Sequence, residues 1–552
     1  MQALRDLRRP RVLHPFLLAA CPVVALYGQN AATLTLERVY PSLLVFLAAT
    51  FVVWLILSRA CGDIHRAGAA TSVFLLTGFL AWPILETVIE IIVPVREALP
   101  TVLIGACITI AIAAASVAWW VYIKTRVGRA AIVIALAVVL LMAIAMAPAF
   151  GRRAAILIAL YIAGSGFVAQ AFLVFRGDRF RLTSTGNVFG FALIVLYLGY
   201  ALLQERAQSI LPDWPPPTLA EQSIFDVNDV PLEQPDVFVL ALDGYPRADV
   251  LTTAFQFDNT AFLESLSSQG FTVADGVQTS YIEPVQALAS CFNLVSVDAW
   301  APGALAEGSR AHFVQRALDQ SRLLPALSKR GYELIGFDSG IEALRPSPQF
   351  DQTRKPVTVL GEFERILCRR TIVARTLQLY YYLRYGNPAY WQFEPTRRYV
   401  DFVLDELPSI AGDALDDPRF VFAYMPIPEP PFLFRKDGSR AYPYAIGPLD
   451  TARLFFDPQI HRRAFLDQLE YLNSRVLNTV RDIQSNAKRP TVIMIVSLRG
   501  AALRGSAEGP PPRAPILAAS SGAKVNVVDV SNIYLVNWFQ HLLKTAVESG
   551  AE

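Results

Sequence analysis

Seven apolar stretches crowd the first 205 residues, at about 13–28, 40–58, 69–93, 101–123, 130–149, 154–175 and 187–204. A helix crosses a bilayer with roughly 20 apolar residues. A transmembrane domain of about seven helices over 1–205 is therefore expected. The first stretch is short and follows the basic start "RDLRRPR", a pattern that a signal peptide shares. Six further apolar stretches, and no convincing small-residue cleavage site, favour a span.

Basic residues set the orientation, because Lys and Arg near helix ends stay in the cytoplasm. With the N-terminus inside, the cytoplasmic segments hold Arg5, Arg8, Arg9, Arg11, Arg59, Arg66, Lys124, Arg126, Arg129, Arg176, Arg179 and Arg181. The outer loops hold only Arg38, Arg96, Arg152 and Arg153. An odd number of spans then puts everything after residue 205 outside the cytoplasm, as for a multi-pass inner-membrane protein with a periplasmic domain. Glu86 and Glu90, in "ILETVIEIIV", lie one helical turn apart. Intramembrane carboxylates are candidates for function, but a place near the outer interface is the favoured reading. The bundle is then most simply an anchor, with a lipid-facing role left open.

The hydrophobic fraction of 53% is concentrated in this half, and the net charge of +2 is too small for a polyanion-binding protein. No basic stripe with interleaved aromatics points to nucleic acid. Phosphate loops of Walker type and G-x-S-x-G elbows are also missing. The five cysteines form no C-x-x-C pair, which argues against a zinc–thiolate site. Cys291 and Cys368 are the two after residue 205. Pairing between them is open in an oxidising compartment, while the apolar helical pattern around Cys291 favours a buried thiol.

Residues 206–234 are rich in Pro and polar groups ("DWPPPTLAEQS") and read as a linker. From 235 to 552 short apolar strands alternate with helical patterns. "DVFVLAL" (236–242), "YELIGFD" (332–338), "RFVFAYM" (419–425) and "TVIMIVS" (491–497) read as strands. Helices are expected at 258–270, with Asp258 as N-cap, and at about 457–486. Such alternation predicts an α/β domain with a mainly parallel central sheet and helices on both faces. Ligands of these sheets bind at the carboxyl ends of the strands.

Five blocks occur in order: "PDVFVLALDGYPRADVL", "GFTVADGVQTSYIEPVQALASCFNL", "GYELIGFDSG", "FVFAYMPIPEPPFLFRKDG" and "TVIMIVSLRG". Together they resemble the sulfatase-like branch of the alkaline phosphatase superfamily, which includes membrane-anchored, lipoteichoic-acid-synthase-like transferases. The resemblance covers about 235–545. It implies an alkaline-phosphatase-like domain, one or two divalent metals (Zn, Mn or Mg), and a Thr, Ser or formylglycine nucleophile. Asp243 matches the first metal ligand. Pro284 stands at the nucleophile position, Tyr424 and Glu429 stand at two His positions, and Leu498 and Arg499 replace an Asp-His pair in the "SLRG" turn.

These departures have chemical consequences. Pro284 has neither a hydroxyl nor a backbone N–H, although proline is comfortable in a first helical turn. Leu498 cannot ligate a metal. Arg499 stays protonated and would repel a dication by on the order of 8 kcal/mol at 4 Å and an effective dielectric near 20. A register slip supplies no substitute: between Thr491 and Arg513 the one acid is Glu508, and His312, His461 and His541 all sit in helical patterns.

The residues left around the expected cleft are Asp243, Thr279, Ser280, Tyr281, Glu429 and Arg499. One reading pairs Asp243 with Arg499 in a pocket for an anion or a sugar. The favoured reading has Asp243 stabilising its Asp-Gly turn, Arg499 solvated, and Glu429 exposed in a rigid proline-rich loop. The expected function is a binding or regulatory partner in cell-envelope polymer or lipid-headgroup metabolism, without catalysis or cofactor. Its partners would be the bilayer and an envelope glycan, a lipid headgroup or an active family enzyme. The alternatives are an active metal-dependent ester hydrolase or transferase built on Asp243 and Glu429, and a scaffold that binds nothing.

Overall fold

The computed structural model describes residues 10–29, 36–76, 179–209, 214–215, 224–225, 234–297, 307–357, 361–369, 390–414, 417–441, 458–500, 514–522 and 533–549, with four further single positions between 377 and 384. The expected spans from 101 to 175, most of that at 69–93, and Glu86 and Glu90 lie outside these residues. The chain divides into two compact units. One comprises 1–207 with 360–391, the other 208–359 with 392–552.

The first unit contains α1 (His14–Gln29), α2 (Leu36–Cys61), α3 (Ile64–Leu76) and α4 (Arg179–Ser209). Among the described residues two helical segments, Val39–Arg59 and Arg179–Leu203, are long and apolar enough to cross a membrane, and His14–Gly28 is a shorter apolar helix. Their large side chains point outward: Leu44, Val45, Leu196 and Leu203 are each at least 60% exposed. Such a surface is stable in lipid and not in water. Inside, several polar groups bond to one another at one end. Asn187 Oδ1 accepts from the backbone N–H of Leu13 and His14, at 3.0 and 2.8 Å. The His14 ring pairs with Ser72 and the His65 ring with Thr183.

The second unit is built on a seven-stranded sheet. Its strands are β1 (Asp236–Asp243), β2 (Phe271–Val273), β4 (Glu333–Phe337), β5 (Gln352–Arg354), β6 (Arg419–Pro428), β7 (Thr491–Ser497) and β9 (Ala518–Ser521). The order is β2-β9-β7-β1-β6-β4-β5. The five strands from β7 to β5 are mutually parallel and β9 runs against β7. The central strands are buried on both faces, which is why they read as unbroken apolar runs.

Alternate residues of these strands serve two separate cores. Val237, Val239, Phe422, Tyr424 and Val496 face one layer of helices, α7 (Pro284–Asn293), α8 (Glu307–Asp319), α9 (Leu323–Ser328) and α13 (Leu535–Ser549). Phe238, Leu240, Val421, Ile493 and Ile495 face the other, formed by α5 (Ala248–Phe255), α6 (Thr260–Ser268), α11 (Tyr390–Gly412) and α12 (Pro458–Asn486). The expected α/β architecture is therefore present. A small second sheet, β10-β3-β8, joins β3 (Val277–Thr279) to β8 (Ala514–Pro515) and β10 (Ile533–Tyr534).

Three details differ from expectation. The third long strand does not end at 425 but runs to Pro428, with a register shift opposite Leu242 and Asp243. Asp258 is not the N-cap of α6: Asn259 holds that position, while the Asp258 carboxylate accepts from the Thr260 N–H one residue earlier. Residues 360–391, expected in the extracytoplasmic domain, cluster with the membrane helices, because α10 (Glu362–Arg369) packs Phe363 and Leu367 among them. Cys291 and Cys368 are both free thiols, and Cys291 is buried as expected.

Candidate functional site

β1 is flanked on both sides by parallel strands, so its carboxyl end is the centre of the sheet's ligand-binding edge. Asp243 occupies that end, opposite Pro428 of β6 and one residue past the pairing of Leu242 with Ser497. The chain turns at Gly244, whose φ of +75° only glycine adopts freely. A Cβ there would also lie 2.0 Å from Glu429 Cγ. Gly244→Ala is accordingly expected to destabilise the chain by about 2 kcal/mol or more, read as a lower unfolding midpoint in detergent.

The "SLRG" turn is locked to this end by its backbone. The Leu498 N–H donates to Leu242 O at 2.9 Å. Ser497 Oγ accepts from the Tyr245 N–H and donates to Arg499 O, at 2.9 and 2.7 Å. Leu498 points away into the core at 2% exposure, which explains why an apolar residue is stable there. Arg499 points inward. Its Nε donates to Asp243 Oδ1 at 2.5 Å and its Nη2 to Oδ2 at 3.0 Å, a bidentate pair. The favoured expectation of a solvated Arg499 is therefore corrected, because the parallel register of β1 and β7 sets the two side chains beside each other.

Tyr424 completes the cluster, donating its hydroxyl to Asp243 Oδ2 at 2.9 Å. Burial first, and then the neighbouring Asp243 charge, push the Tyr424 hydroxyl well above the ordinary tyrosine range. Glu429 is not an exposed loop residue either. Its side chain is 14% exposed, with a carboxylate oxygen 4.0 Å from Arg499 Nη2, because its N–H is held by Asp243 O at 3.1 Å. Burial lowers the affinity of the Arg499 guanidinium for its proton, but the bonds and charges of Asp243 and Glu429 outweigh it, so its pKa is raised.

The other candidates divide. Thr279 is buried and donates to Leu498 O at 3.1 Å, tying β3 to the turn. Ser280 is exposed. Tyr281 directs its hydroxyl to Ser296 at 3.4 Å, fifteen residues along. Pro284 opens α7 at its first position, as expected of a proline. His312, His461 and His541 lie in α8, α12 and α13, as expected.

A polar network beside the site escaped the sequence reading. Tyr245 donates to Asn473, Asn473 to Asn259, and Asn259 back to the Tyr245 hydroxyl, at 2.6, 2.9 and 3.0 Å. Its members are too far apart in sequence, and too ordinary in type, to have been singled out.

A divalent metal does not fit these residues. Asp243 Oδ1 is occupied by Arg499, and Oδ2 by Arg499 and Tyr424. A dication at that carboxylate would meet a guanidinium within hydrogen-bonding distance. Among the described residues no three His, Cys, Asp or Glu side chains converge.

No family model matches the chain, and no curated protein matches it. Solved structures do. The C-terminal periplasmic domain of EptC from Escherichia coli, in complex with Zn, is 11% identical with a TM-score of 0.37, over 58% of this chain and 85% of that one. The integral membrane protein lipooligosaccharide phosphoethanolamine transferase A from Neisseria meningitidis is 12% identical with a TM-score of 0.37, over 98% and 97%. A protein of the alkaline phosphatase superfamily from Vibrio parahaemolyticus is 11% identical with a TM-score of 0.35, over 60% and 73%. Likenesses of this strength assign no activity to this chain.

Proposed function

We propose that this chain is a membrane-anchored, sulfatase-like protein of the cell envelope that binds and does not catalyse. Its second unit would lie on the extracytoplasmic side, as the distribution of basic residues in the first half supports. The observation that carries the reading is the Arg499–Asp243 pair, in which a guanidinium takes up the carboxylate that matches the family's first metal ligand. An internal cation replaces an external one, and the site has no place for a nucleophile at Pro284.

The ligand class follows from the charges. Asp243, Glu429 and Arg499 together carry one excess negative charge, which disfavours an anion. Glu429 offers acceptors and the partly exposed Arg499 offers donors, a combination suited to the hydroxyls of a glycan or a lipid headgroup. The role would be that of a binding or regulatory partner in envelope polymer or headgroup metabolism. Ser280 and Tyr281 would border the bound group without contributing charge, and the buried Thr279 would hold β3 to the turn.

The purified full chain is expected to carry no stoichiometric Zn, Mn or Mg by elemental analysis, and to leave aryl phosphate and aryl sulfate esters intact. Metal near one equivalent per chain, with turnover abolished by Asp243→Ala, would overturn the reading in favour of a metal-dependent transferase or hydrolase.

A further inference from the structure

Helix α10 belongs by sequence to the soluble half, yet it packs on membrane helices. Phe363 and Leu367, one turn apart on one face, join a cluster with Leu26 and Tyr27 of α1, Val39 of α2 and Ala201 of α4. Ser42 Oγ donates to Glu364 Oε1 at 3.0 Å. Every one of these partners lies at one end of its helix: late in α1, early in α2, late in α4. The His14, His65 and Asn187 bonds lie at the opposite ends. Ala201 is also seven residues before the second unit begins at 208. So α10 sits at the end of the first unit's helices at which α4 finishes.

The depth of α10 follows from its neighbours. Leu202 and Leu203, adjoining Ala201, are 64% and 68% exposed, and Leu44, two residues after Ser42, is 60% exposed. Side chains this apolar and this exposed face acyl chains. A helix packed at their level is within reach of the same leaflet. On its open side α10 presents Ile366, 37% exposed. The sequence that continues it, "RILCRRTIVARTLQLYYYLRY" (365–385), holds five arginines, four tyrosines and no acid. Arginine and tyrosine are the residues that favour the headgroup layer.

We infer that α10 is an interfacial membrane helix: an element of the soluble half that closes over the ends of three membrane helices and rests its open face, at Ile366, in the phospholipid leaflet beside them. The apolar surface of α10 is thereby continuous with the lipid-facing surface of α2 and α4.

The test uses the full chain in vesicles of phosphatidylethanolamine and phosphatidylglycerol. Ile366→Trp adds a ninth tryptophan to the eight present, and the added fluorescence is read as the difference from the unmodified chain. That difference is expected to fall about twofold when brominated phosphatidylcholine is included, and to resist aqueous acrylamide. An independent readout uses the native Cys368, half-buried on the same helix. Peptide mass spectrometry is expected to find it alkylated about tenfold more slowly by a sulfonated maleimide than by uncharged N-ethylmaleimide. Acrylamide quenching with equal maleimide rates would place the helix in water and overturn the inference. Protection from both quenchers would place a protein over Ile366 and overturn it equally.

Discussion

Arg419→Met is expected to lower the stability of the chain by about 3–5 kcal/mol, the usual result of leaving one member of a buried ion pair behind. Arg419 is 0% exposed and Asp236 1%. The Asp236 carboxylate accepts from the Arg419 N–H at 2.8 Å, from Nε at 3.1 Å and from Nη2 at 2.5 Å, while Nη1 donates to Ile410 O. Deleting the guanidinium strands a carboxylate with only Arg489, 3.9 Å away, for partial compensation. These residues start β6 and β1, so the pair aligns the two central strands at the edge opposite the candidate site. The double variant Asp236→Asn with Arg419→Met is expected to recover a large part of the loss. Equal midpoints for the unmodified chain and Arg419→Met, in urea unfolding monitored in detergent, would show that the pair contributes nothing.

The second large effect concerns the candidate site. Arg499→Leu is expected to destabilise the chain by about 2–3 kcal/mol, less than at Arg419 because Arg499 is 26% exposed. Asp243→Asn alone leaves a guanidinium that water reaches, and is expected to cost about 1 kcal/mol. The two together are expected to cost less than their sum by about 1–2 kcal/mol, the signature of direct contact. Strict additivity in this cycle would mean that the pair is not formed in solution, and the proposed replacement of a metal by Arg499 would fall with it.

Much of this architecture is legible in the residues. β1, β4, β6 and β7 announce themselves as apolar runs, and α12 as a long amphipathic pattern. The short strands β2, β3, β5, β8, β9 and β10 are two to four residues each, too brief for any periodicity to register. At the site, Asp243 and Arg499 are 256 residues apart, and only the order of the strands brings them together. The general rule for an arginine at a turn is that it is solvated. That rule fails here because Leu498 is drawn into the core and turns the next side chain toward β1. α10 was missed for a different reason. Phe363 and Leu367 have the spacing of any amphipathic helix, and nothing in that spacing says whether the covering surface is a sheet or a membrane bundle.

The strand order has a consequence for biosynthesis. β1 emerges from the ribosome first, but its two sheet neighbours, β6 and β7, begin 183 and 255 residues later. At about 5–20 residues per second, roughly 10–50 s pass before the central strand is paired on both sides. α10 is translated inside that interval. If it settles on the bundle as soon as it appears, the chain between α4 and α10 is fixed at both ends before either sheet neighbour of β1 has been made. The segment that seals the helix ends would then also serve as the nascent chain's mooring.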